Sequence, residues 1–100
     1  MICEPILAAE RVEHLTGKGL WPNRLLVDDL ERAAAETPDK IAIVDHNSAT
    51  GQATRLTYGE LDGRSHRIAC GLSALGVEAG DIVAVQLPNW WHFAALHTAC

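Results

Sequence analysis

The sequence predicts an α/β fold in the order helix, β-hairpin, helix, buried strand, helix, and a set of elements that is incomplete on its own. Three observations carry this. Thr57 and Glu60 have capping-box spacing, and Leu61, Ser65, Ile68, Leu72 and Leu75 then recur at three- and four-residue steps, as on one buried helix face. Ile82-Val83-Ala84-Val85-Gln86-Leu87 is nearly all apolar and suits a strand covered on both sides. Such a strand needs two neighbours, and the chain offers at most the hairpin strands.

Taken in order, residues 5–16 suit a short helix, with Pro5 at its first position and Ala8, Val12 and Leu15 on one face. Gly17-Lys18-Gly19 ends it, and Trp21-Pro22-Asn23 forms a linker whose tryptophan is expected to pack on the body that follows. A second helix is expected over Leu25–Glu36, burying Leu26, Leu30, Ala33 and Ala34. Asp28, Asp29 and Glu31 crowd its start, where the helix dipole favours carboxylates. Pro38 stops it, because the residue before a proline is pushed out of helical geometry.

Lys40–Asp45 reads as a strand, His46–Ala53 as a polar loop and Thr54-Arg55-Leu56 as the returning strand. The capped helix follows, with Leu56 and Leu61 placed as a hydrophobic staple. Gly76 is positioned for the left-handed conformation that ends a helix, with Val77 folding back onto Leu72. Glu78–Asp81 is a turn, and Pro88-Asn89 ends the strand. A last helix is expected from Trp90 onward, with Asn89 as its cap. No glycine, asparagine or basic final turn closes it, so the chain is expected to be cut from something larger.

Composition narrows the function. One hundred residues make about one small domain, and 48% hydrophobic content excludes a disordered chain. The net charge is −5 without a basic cluster, which argues against nucleic acid as a partner. No apolar run approaches the roughly 20 residues of a transmembrane helix. The N-terminus lacks the charged start and apolar core of a signal peptide. Cys3, Cys70 and Cys100 are odd in number and widely spaced, which favours reduced, unreactive thiols serving as small hydrophobes in a cytoplasmic protein.

Leu56–Ala99, LTYGELDGRSHRIACGLSALGVEAGDIVAVQLPNWWHFAALHTA, resembles the N-terminal region of AMP-forming acyl-CoA synthetases, the adenylate-forming superfamily. The preceding TPDKIAIVD is similar to that family's first strand and its approach. The loop HNSATGQATR and the segment QLPNWW look most like cyclohexanecarboxylate-CoA and medium-chain fatty acid-CoA ligases. The resemblance is strong from Leu25 onward and weaker before it. It implies residues 1–23 as an extension with a short helix. Residues 24–100 would begin the AMP-binding domain and stop before its phosphate loop.

It also implies a two-step reaction: a carboxylate attacks the α-phosphate of ATP to give an acyl-adenylate and pyrophosphate, then coenzyme A displaces AMP. ATP, Mg2+ and coenzyme A are thus implied for the full-length enzyme and none for this segment. The family's phosphate loop, adenine-contacting segment, ribose-binding aspartate, hinge and catalytic lysine all lie beyond this sequence. No catalytic, cofactor-binding or metal-binding residue is therefore assigned. The implied partners are the remainder of its own chain and a carboxylic acid substrate.

Several local patterns invite a functional reading. Ser48-Ala49-Thr50-Gly51 suggests a phosphate loop but lacks its lysine and paired glycines, and reads as a hairpin loop. Asp62, His66 and Cys70 are spaced for one helix face, but no further metal ligand is suggested by the sequence. His92 and His97, five apart, fit a metal worse still. Trp90, Trp91 and Phe93 could line an acyl pocket, although packing of the last helix accounts for them. Asp28, Asp29 and Glu31 could chelate magnesium, although dipole compensation accounts for them. Other functional readings of the sequence are a stand-alone α/β interaction module, a truncated product without function and a peptide-synthetase adenylation domain.

Overall fold

The computed structural model describes residues 7–100. The elements run α1 (Ala9–Gly17), α2 (Leu26–Glu36), β1 (Ile41–Asn47), β2 (Gln52–Thr57), α3 (Tyr58–Ala74) and α4 (Trp91–Ala99). Pro5, expected to begin the first helix, lies outside the described residues.

The chain turns from sheet to helix at Thr57. Its hydroxyl accepts the Glu60 amide at 3.2 Å, and Glu60 Oε2 accepts the Thr57 amide at 2.9 Å, the reciprocal cap that the spacing predicts. Two further amides at this helix start are satisfied from outside: Tyr58 N donates to Lys40 O and Gly59 N to Pro38 O, each at 3.0 Å. A Cβ on Gly59 would stand 3.3 Å from Pro38 O, so a glycine allows this close approach. The other end of α3 also follows expectation. Gly76 takes φ +88°, Val77 N donates to Leu72 O at 3.1 Å and Gly76 N to Ser73 O at 3.0 Å, which is a Schellman ending.

β1 and β2 pair antiparallel, with Ile43 opposite Leu56 and Asn47 opposite Gln52. The strands run further toward the loop than the sequence suggests, because cross-strand pairing continues through His46 and Ala53. The register shifts between Ile41 and Ile43. That shift puts neighbouring Ala42 and Ile43 both against the core, breaking the strict alternation of a flat strand.

The core is small: Leu30, Leu56, Leu61 and Ala95, with Ala42, Ile43, Tyr58, Ile68 and Trp91 packed around it. Leu56 is 2% exposed and Leu61 6%, as a staple requires. Ser65 is 2% exposed and accepts a hydrogen bond from Thr98 Oγ1 at 2.9 Å, joining α3 to α4.

Five expectations are corrected. Residues 82–87 form no strand: the ladder among the described residues joins β1 to β2 alone, and this segment pairs with neither of their outer edges. Ile82, Val85 and Leu87 are exposed accordingly. Leu26 and Leu75 are exposed, because the core meets α2 one turn later at Leu30 and because Leu75 already lies past the last residue of α3. Val12 and Trp21 are likewise exposed, and α1 buries no residue. Cys70 and Cys100 are free thiols on the surface rather than buried hydrophobes. Asn89 does not cap α4, for the reason given below.

The chain exposes 7702 Å², where a folded monomer of 100 residues exposes about 5,500 Å². Its radius of gyration is 16.3 Å, against about 13 Å for a compact domain of this length. No helix among the described residues is long and apolar enough to cross a membrane.

Candidate functional site

The start of α4 is held from a distance. Asp45 follows Ile43 by two residues on β1, so the two share a sheet face. Asp45 Oδ2 accepts the Trp91 amide at 2.7 Å, across 46 residues of sequence. A carboxylate here satisfies a free N-terminal amide and meets the positive end of the helix dipole. The N-cap position itself is Trp90, which supplies no side-chain cap. Asn89 is displaced from the role because the acceptor comes from another element. Asp45 Oδ1 is buried without a hydrogen-bond partner.

Trp91 packs on the core, with the Arg64 guanidinium 4.2 Å from its ring centroid and the His92 ring stacked at 3.7 Å. This is the packing role expected of Trp91. His97 is engaged with its own helix, its Nδ1 3.1 Å from Phe93 O.

The hairpin turn was the sequence's one phosphate-loop-like pattern. Asn47 Oδ1 accepts the amides of Ala49 at 2.9 Å and Thr50 at 3.2 Å, so these donors are already consumed. The turn joins two antiparallel strands, and Gly51 closes it at φ +73°. These residues do not fit a nucleotide phosphate. At the start of α2, Asp28 Oδ2 accepts the Leu25 amide at 2.8 Å. Leu25 has no side-chain acceptor to return the bond, so only half of a reciprocal cap exists. Asp29 pairs with Arg32 at 3.0 Å and Arg24 at 3.3 Å. These two carboxylates do not fit a magnesium site.

Glu31 behaves differently from its neighbours. It reaches across to α3, where its Oε1 lies 3.7 Å from His66 Nε2. His66 Nε2 is also 3.4 Å from Asp62 Oδ1. The ligand atoms of Glu31, Asp62 and His66 all lie within 4.8 Å of one another. The four-residue spacing on α3 anticipates Asp62 and His66. Cys70 lies outside the group, and Glu31 joins it because α2 packs on α3.

The family of AMP-binding enzymes matches residues 30–100 of this chain. The chain belongs to that adenylate-forming family, and its α/β arrangement is the N-terminal part of that fold. It is similar to the medium-chain fatty-acid–CoA ligase of Escherichia coli, 39% identical over 83 residues, covering 83% of this chain and 14% of that protein. The salicyl-AMP ligase / salicyl-S-ArCP synthetase of Mycobacterium tuberculosis is 40% identical over 86 residues, covering 86% of this chain and 15% of that protein. The apo structure of Mycobacterium smegmatis MbtA superposes with a TM-score of 0.76 at 39% identity, covering 93% of this chain and 16% of that one. The chain thus spans about one-seventh of the length of the relatives it matches.

Proposed function

We propose that this chain is the N-terminal scaffold of an ATP-dependent acid–thiol ligase, with residues 24–100 beginning its AMP-binding domain after a 1–23 extension. The enzyme activates a medium-chain fatty or alicyclic acid as acyl-adenylate and transfers it to coenzyme A. It acts in the cytoplasm, in fatty acid metabolism. The observation that carries the reading is the match of residues 30–100 to the AMP-binding family. The uncovered apolar run 82–87 supports it, since two-sided apolar strands belong inside larger parallel sheets. Similarity to a fatty-acid–CoA ligase and the QLPNWW segment support the choice of acid and acceptor.

In this reading residues 24–100 do not perform the chemistry. The amides of the 48–51 turn and the carboxylates of Asp28 and Asp29 are already engaged, so no reaction step is assigned to them. Their contribution is to seat α3 and α4 against the hairpin and present 82–87 to the remainder of the domain.

The test is an acid screen on the complete gene product. Pyrophosphate release is followed with ATP, Mg2+ and coenzyme A over octanoate, cyclohexanecarboxylate, salicylate and acetate. Octanoate or cyclohexanecarboxylate should give the highest rate, with a coenzyme A thioester as product. Preference for salicylate would overturn the acid assignment. An adenylate that passes only to a carrier-protein thiol would overturn the acceptor.

A further inference from the structure

We draw no further inference here: the strongest candidate, the groove between α3 and α4 lined by Arg64, Arg67, Ile68 and Trp91, carries nothing because the Trp91 ring already holds Arg64 and His92 against it and nothing in the structure shows what covers the rest.

Discussion

Replacing Asp45 tests whether α4 is held by a distant strand or by its own sequence. Asp45→Ala removes the acceptor 2.7 Å from the Trp91 amide. Loss of an N-cap acceptor costs about 0.5–2 kcal/mol, with up to about 1 kcal/mol from the charge near the helix dipole. The substitution also removes the partnerless Oδ1, and that relief offsets part of the loss. The net expectation is about 1 kcal/mol, which is about a fivefold change in an equilibrium constant. The assay is amide hydrogen exchange in the complete gene product, read at residues 95–99, whose amides lie within α4. Exchange there should quicken about fivefold in Asp45→Ala and by less in Asp45→Asn, which keeps an acceptor. Exchange within twofold of wild type in Asp45→Ala would refute the reasoning, as would equal effects of the two variants.

Thermal or denaturant unfolding checks the remaining stability predictions. Gly76→Ala should destabilise by about 1–2 kcal/mol, because φ +88° penalises a Cβ even where space is open. Gly71→Ala, within α3 and also in open space, should stabilise by about 0.5–1 kcal/mol. Thr57→Ala breaks the reciprocal cap and should cost about 1 kcal/mol. Leu56→Ala, at 2% exposure, should cost about 2–5 kcal/mol. Residues 1–100 expressed alone should be aggregation-prone or partly molten, binding a hydrophobic dye, because 82–87 lacks covering partners. A sharp cooperative transition with dispersed amide NMR signals would count against that.

What was legible in the sequence is what is determined locally. The Thr57–Glu60 cap, the Leu56–Leu61 staple and the Gly76 ending each depend on residues within a few positions of one another. Strand length was less legible, because pairing at His46–Ala53 is set by the partner strand as well as by composition. The role of Asp45 is only faintly legible locally, because it depends on a register shift near Ile43 and on Trp91, 46 residues away. The period-two placement of Asp45 beside Ile43 on an inward face was the one available signal. For the same reason Cys70 looked like the companion of His66 when the neighbour in space is Glu31. Residues 82–87 carry strand composition, but a strand also needs a hydrogen-bonding partner, and composition does not show that 82–87 pairs with no strand of the described residues.

As proposed above, this chain supports an adenylate-forming active site without containing it. Acid-dependent exchange of labelled pyrophosphate into ATP, measured in parallel on the complete gene product and on residues 1–100, tests it most directly. Exchange that depends on a carboxylic acid is expected in the complete product and none in residues 1–100. Exchange catalysed by residues 1–100 alone, or no exchange by the complete product with any acid of the screen, would contradict it.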